Sequence, residues 1–233
     1  MDTREHEPVL NAPWPALLIP LLILGLYGVQ SQLGDVDSLA FAWGLIPAQV
    51  EDGRWIGLLT GQAVHGDWAH AGTNAAFAFA FGAASARRMG GGLAGAASLL
   101  AFTILCGLIA GLGYVAVNPG QAAPVIGASG AASGLVGAST RMLWRPHGDL
   151  APLADRRVLG IVAAWVVINL AAGMIGLSPS GEVVSIAWEA HIAGLLAGLV
   201  LIGPWLALFG PRRPQTPEAS AGLEPRARDA DVI

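Results

Sequence analysis

Six apolar stretches, separated by polar segments, recur along the chain. A helix that crosses a bilayer needs about 20 mostly apolar residues. The stretches cover approximately residues 14–32, 68–86, 93–117, 128–143, 158–177 and 187–209. The second and fourth are rich in Ala, Gly and polar side chains, which is typical of helices shielded from lipid inside a bundle, where small residues let backbones approach closely. The pattern predicts an all-α membrane protein, a bundle of six transmembrane helices.

Composition supports a lipid bilayer as the surroundings of this chain. Hydrophobic residues make up 54% of the sequence and charged residues only 12%, whereas soluble domains carry about 25% charged residues. The net charge is −4 and there is no basic tract, so we expect no nucleic-acid partner. The single cysteine, Cys106, can form no internal disulfide and says nothing about redox compartment.

The arginines indicate how the predicted helices are oriented. Eleven of the twelve basic residues fall on one side of the six-span topology, and only Arg54 falls on the other. Basic residues concentrate in cytoplasmic loops, so both termini are predicted to be cytoplasmic. We therefore expect a cytoplasmic N-terminal segment (1–13), a membrane domain (14–209) and a disordered cytoplasmic tail (210–233) that is rich in Pro, Ala and charge. The first span has no clear signal-peptide features and is predicted to be uncleaved.

Five polar side chains lie at membrane depth, where such groups are costly and usually functional. His65, His70 and Asn74 lie at the start of the second span, Ser129 opens the fourth, and His191 lies just inside the sixth. These three spans run in the same direction, from outside to inside, so their N-terminal ends face one compartment. The topology therefore predicts that these side chains lie at similar depth. His70 and Asn74, spaced i, i+4, share one helix face.

This set of residues is suited to acyl transfer. A serine becomes a nucleophile when a base takes its proton, and histidine is the usual base, so Ser129 and His191 are candidates if their helices touch. Both helices carry small residues that allow contact, namely Gly130, Gly134 and Ala138 on the fourth span and Gly194 and Gly198 on the sixth. Acyl transfer also needs donors aimed at the developing oxyanion. The Ser129 N–H at a helix start and the His70 and Asn74 side chains are candidates.

Each of these residues also has a structural interpretation. A Gly/Ala/Ser pattern in a transmembrane helix can serve packing alone, and Asn74 can join two helices by a hydrogen bond. His65 or His70 can cap or hydrogen-bond an interfacial loop. His191 is the hardest to explain structurally, because it is buried in the membrane. The joint pattern on three co-oriented helices favours a site.

A metal site is the competing chemistry. His65 and His70 are five residues apart, and the sequence has no H-E-x-x-H motif, the arrangement that places two zinc ligands on one helix face. Glu189 lies two residues before His191, so the two side chains do not share a face. We expect neither a metal nor a cofactor.

Three motifs, taken together, resemble those of a known family. They are H-x-x-x-x-H-x-x-x-N (His65, His70, Asn74), G-x-S-G (Gly127 to Gly130) and A-H-x-x-G-x-x-x-G (Ala190, His191, Gly194, Gly198). Each is weak alone, but in this order and on these spans they are specific. From about Trp14 to Phe209 the chain resembles the rhomboid intramembrane serine proteases.

The resemblance implies a role for each motif residue. Ser129 would be the nucleophile and His191 the general base of a dyad without aspartate. His70, Asn74 and the Ser129 N–H would form the oxyanion hole. His65 would support the second span and a water-accessible cavity, and Gly127, Gly130, Gly194 and Gly198 would support the site. The resemblance also implies single-span membrane proteins as substrates, cut in or near their transmembrane segments, and a bacterial inner membrane with the active site open to the outer side.

Two positions depart from the family pattern. The first loop carries Arg54-Trp55, where the family commonly has Trp followed by Arg, and Ser133 stands where many members have an aromatic that packs on the catalytic histidine. Two alternatives remain: an inactive homologue that binds and routes membrane proteins, and an unrelated six-span transporter. The intact Ser129/His191 pair argues against the first. The near absence of acidic residues within the spans argues against the second.

The topology can be tested by cysteine accessibility. In a Cys106→Ser background, single cysteines at Ser220 and near Arg145 should be shielded from a membrane-impermeant thiol reagent in intact cells, because both positions are predicted to be cytoplasmic. A cysteine at Ser180 should react. The opposite pattern of labelling would invert the topology and place the site on the cytoplasmic side.

Overall fold

The computed structural model describes residues 12–144, 149–176 and 186–211. Of these residues, 72% are helical and none lies in a strand. After a 3₁₀ turn at Trp14–Leu17, the helices in chain order are α1 Leu18–Gln30, α2 Val36–Trp43, α3 Pro47–Glu51, α4 Gly57–Thr60, α5 Trp68–Met89, α6 Leu93–Val117, α7 Ser129–Thr140, α8 Arg156–Ile175 and α9 Trp188–Phe209. Most of the predicted N-terminal segment and nearly all of the predicted tail lie outside the described residues.

Three of the described helices, α6, α8 and α9, are long and apolar enough to cross a membrane. The apolar helix that includes α1 is shorter, and α5, with 22 residues, is rich in Ala and polar side chains. Each predicted span corresponds to a helix, but the six-span count stays a prediction for α1, α5 and α7.

Helix α7 is shorter than the predicted fourth span and lies at the centre of the bundle. It has 12 residues, so at about 1.5 Å per residue it is much shorter than a bilayer core of about 30 Å. From Gly130 to Thr140 every residue is buried. A helix surrounded by other helices need not match the lipid thickness, which explains how a low-hydropathy segment can be central to this fold.

The start of α5 is determined by a side-chain cap. The Asp67 carboxylate accepts a hydrogen bond from the backbone N–H of His70 at 2.7 Å, which satisfies one of the free donors of the first turn. Because the helix begins at Trp68, His70 and Asn74 lie in its first two turns.

The long first loop, between α1 and α5, is folded. It contains α2, α3 and α4. Its Leu45 exchanges two backbone hydrogen bonds of 2.9 and 2.7 Å with Val125 in the segment between α6 and α7, an isolated antiparallel bridge. The Gly127 N–H donates to the carbonyl of Gly61 at 2.9 Å. The loop therefore holds the segment that leads into α7.

Glycines bring α7 and α9 into backbone contact. A Cβ built on Gly194 would overlap the carbonyl oxygen of Gly130, and one on Gly198 would overlap that of Gly134. Gly137 faces the backbone of Leu195 in the same way. The small-residue pattern thus has a packing role, and the same contact sets the distance between the first turns of the two helices.

Adding a methyl group at this contact should destabilise the bundle. We expect Gly198→Ala to lower the free energy of unfolding by at least about 1–3 kcal/mol, because the new Cβ meets backbone that cannot rotate away. The measurement is thermal unfolding in detergent. The matched control is Gly160→Ala on α8, where a Cβ meets open space. Equal melting temperatures for the two variants would contradict the packing role.

Candidate active site

The first turns of α7 and α9 bring Ser129 and His191 together. Ser129 is the first residue of α7, and His191 lies in the first turn of α9. Ser129 Oγ and His191 Nε2 are 2.7 Å apart, within the range needed for direct proton transfer. The two residues are 62 positions apart in sequence, so this contact depends on the glycine-mediated approach of the two helices.

A third residue, Asn169 on α8, contacts the other side of the His191 ring. Asn169 Oδ1 lies 2.7 Å from His191 Nδ1, and Asn169 Nδ2 donates to the carbonyl of Trp165 at 2.8 Å. The sequence motifs name no residue that orients His191, and Asn169 is not among them. The sequence feature that could have identified Asn169 is its amide side chain at membrane depth, in a segment that is otherwise apolar after Arg157.

The side chains of His70 and Asn74 lie against Gly127, two residues before the start of α7. A Cβ on Gly127 would come 2.6 Å from His70 Nε2 and 3.3 Å from Asn74 Nδ2. Gly127 also has a φ of 111°, a conformation that favours glycine. The close approach of these side chains and the positive φ both explain why a glycine occupies position 127, two residues before Ser129.

Both side chains present donors toward this region. The Gly66 N–H donates to His70 Nδ1 at 3.4 Å, which leaves the proton of a neutral ring on Nε2. Asn74 is buried, and its Nδ2 has no hydrogen-bond partner within the part of the chain that the structure describes. Buried donors are nearly always paired in proteins. The unpaired amide is therefore available to a group that enters the site.

His65 lies behind the site, and its expected supporting role stays a prediction. It is fully buried, and the residues that line the cavity do not include it. Its backbone N–H and carbonyl bond the Gln30 side chain at 2.9 and 2.6 Å, and its Nε2 accepts the N–H of Ala128 at 3.3 Å. Burial lowers the pKa of His65, in the loop before α5, to about 4, so the ring is neutral and can accept. His65 links α1 to the residue before Ser129.

The site opens into a cavity of about 930 Å³. Ser129, His191, His70 and Asn74 all line it, together with residues of α2, α6 and α8. This volume is within the range of sites that enclose small ligands, about 300–1,000 Å³. Among the described residues no group of three His, Cys, Asp or Glu side chains is placed to hold a metal ion.

Ser133 and Trp55, at the two positions that depart from the family pattern, have the following surroundings. The Ser133 hydroxyl donates to the carbonyl of Ser129 at 2.8 Å, within its own helix. Trp55 is 57% exposed. Neither Ser133 nor Trp55 holds the His191 ring in position.

The three long apolar helices, together with a match to a family model, identify a mostly helical membrane protein. Residues 52–207 match the family model of the Rhomboid domain, which is more than half of the chain, whereas the search of curated proteins found no match. The chain belongs to the rhomboid family, as the three motifs predict. This is an intramembrane protease-type family whose members act on membrane-protein substrates within the bilayer.

Proposed function

We propose that this chain is an intramembrane serine endopeptidase that uses Ser129 and His191 as a catalytic dyad. The observation that carries the proposal is the 2.7 Å contact between Ser129 Oγ and His191 Nε2 at the wall of a cavity. A catalytically inactive rhomboid-like protein that binds and routes membrane proteins has no need of this geometry.

The first half of the reaction forms an acyl-enzyme. His191 Nε2 takes the proton of Ser129 Oγ while the oxygen attacks the scissile carbonyl carbon. The negative charge that develops on the carbonyl oxygen is stabilised by the Ser129 N–H, Asn74 Nδ2 and His70 Nε2. His191 then gives its proton to the leaving amine, and the peptide C–N bond breaks.

The second half requires water at membrane depth. A water molecule attacks the acyl carbon, His191 takes one of its protons, and Ser129 Oγ leaves and regains a proton. Lipid excludes water, so the cavity has to deliver it. The polar lining residues Asp37, Asp67 and Gln121 favour a hydrated cavity.

We propose single-span membrane proteins as the substrates, cut in or near their transmembrane segments. The backbone of an intact helix is already hydrogen-bonded to itself, so a segment must unwind before its carbonyl carbon can reach Ser129. We further propose a bacterial inner membrane as the location of this chain. The arginine distribution supports cytoplasmic termini, and with that orientation the site is open to the outer side.

Removing either member of the dyad should abolish cleavage. Ser129→Ala and His191→Ala should each lower kcat by up to about 10⁶, and the double variant should be no worse, because nucleophile and base act as one unit. The measurement is cleavage of a panel of single-span substrates by purified protein in detergent, together with labelling by a fluorophosphonate.

The matched control is Ser139→Ala on the same helix, whose hydroxyl bonds only the Val136 carbonyl in the described structure. It should retain activity and labelling. A chelator should have no effect. Wild-type protein that cleaves no member of the panel and takes no label would favour the inactive homologue, and activity restored by zinc after chelation would exclude the serine dyad.

The oxyanion role of Asn74 predicts a specific kinetic defect. Asn74→Ala should lower kcat by about 10² or less with little change in KM, since one donor of three is lost and it acts only as charge develops. Melting temperature and single-turnover rate are measured on the same preparation. A destabilised variant whose folded fraction is fully active would make Asn74 a packing residue instead.

A further inference from the structure

Asn169 is a buried amide on a helix that is otherwise mostly exposed. Of the 20 residues of α8, all of them described, Val158 and Asn169 are the buried ones. The two neighbours Ile168 and Leu170 are both exposed. A polar side chain at this depth is costly unless it is hydrogen-bonded, and its burial against α9 requires a reason other than hydrophobic packing.

The hydrogen bonds of Asn169 determine which way its amide faces. Nδ2 donates to the carbonyl of Trp165, and a carbonyl oxygen can only accept. Oδ1 is therefore the atom that faces His191 Nδ1 at 2.7 Å. Because Oδ1 can only accept, His191 Nδ1 must carry a proton.

This proton determines the state of the nitrogen that faces the nucleophile. A neutral imidazole has one protonated and one bare nitrogen, so a proton on Nδ1 leaves Nε2 bare and able to accept the proton of Ser129 Oγ. The opposite tautomer would direct an N–H at the serine and could not activate it. Within α7, Ser133 bonds the Ser129 carbonyl and does not supply this orientation.

We propose that Asn169 is the positioning residue of the catalytic histidine, holding His191 in the tautomer and ring orientation that the reaction needs. This inference rests on the proposed serine protease activity. During the reaction Nε2 gains and loses the proton of Ser129, while the Nδ1–H remains donated to Asn169 Oδ1. Asn169 itself exchanges no proton and does not touch the substrate carbonyl.

The test compares variants that keep or remove the acceptor. Asn169→Leu has a similar volume and no acceptor, Asn169→Ala removes the side chain, and Asn169→Asp keeps an oxygen acceptor but loses the bond to Trp165. Val167→Ala, on the exposed side of the same helix, is the matched control. Each variant is measured for melting temperature, for kcat and KM with a cleaved substrate, and for its rate of fluorophosphonate labelling.

Loss of the acceptor should lower kcat and the labelling rate of the folded protein by about tenfold to a hundredfold, because this factor corresponds to the free energy of one or two hydrogen bonds. KM should change little. Asn169→Asp should recover a substantial part of the loss, and Val167→Ala should behave as wild type. A folded Asn169→Leu or Asn169→Ala that labels at the wild-type rate would overturn the proposal. So would a change confined to KM, because that result would assign α8 to substrate entry.

A spectroscopic measurement reports the tautomer directly. With isotopically labelled histidine nitrogens, the His191 ring, assigned by its loss in His191→Ala, should carry its proton on Nδ1 in wild type and redistribute it in Asn169→Leu. An unchanged tautomer in that variant would also overturn the proposal. These two results differ from a failure of the proposed function. If the proposed function is wrong, the wild-type protein itself neither cleaves substrate nor takes the label.

Discussion

The close approach of α7 and α9 is the constraint on which the rest of the structure depends. Two glycines of α9, Gly194 and Gly198, lie against the carbonyl oxygens of Gly130 and Gly134 with no space for a side chain between the backbones. In a bilayer, helices gain little from excluding water, so van der Waals contact between small residues is a main source of association. This contact fixes the positions of the first turns of α7 and α9 relative to each other, and the distance between Ser129 Oγ and His191 Nε2 follows from it.

The residue that precedes Ser129 is fixed independently of that contact. The Ala128 N–H donates to His65, the backbone of His65 is held by Gln30 of α1, and Gly127 donates to Gly61. These bonds lie in a region of low dielectric, where satisfied polar networks are strong and unpaired groups are expensive. Against this background the unpaired Asn74 Nδ2 is an exception located at the cavity, where a donor has a use.

The site combines a helix that is almost fully buried with one that buries few residues. Helix α7 is buried over nearly its whole length, whereas α8 buries only two of its residues. Helix α8 is also one of the helices long and apolar enough to cross a membrane. The hydrogen bond from His191 to Asn169 joins these two parts, so the orientation of the histidine depends on where α8 lies, and α8 in turn is held at the site by a polar contact.

Six apolar stretches and three spaced motifs were enough to predict a helical membrane protein of the rhomboid family, because helix formation and membrane depth depend on residues that are near in sequence. They also singled out Ser129, His191, His70 and Asn74 as residues for one site. The role of His65 needed the structure, since its partners Gln30 and Ala128 are 35 and 63 positions away. Asn169 could be recognised as an unusual polar residue, but its partner lies on another helix. Hydrogen-bond partners between helices depend on how those helices rotate and pack, and only the tertiary structure decided that.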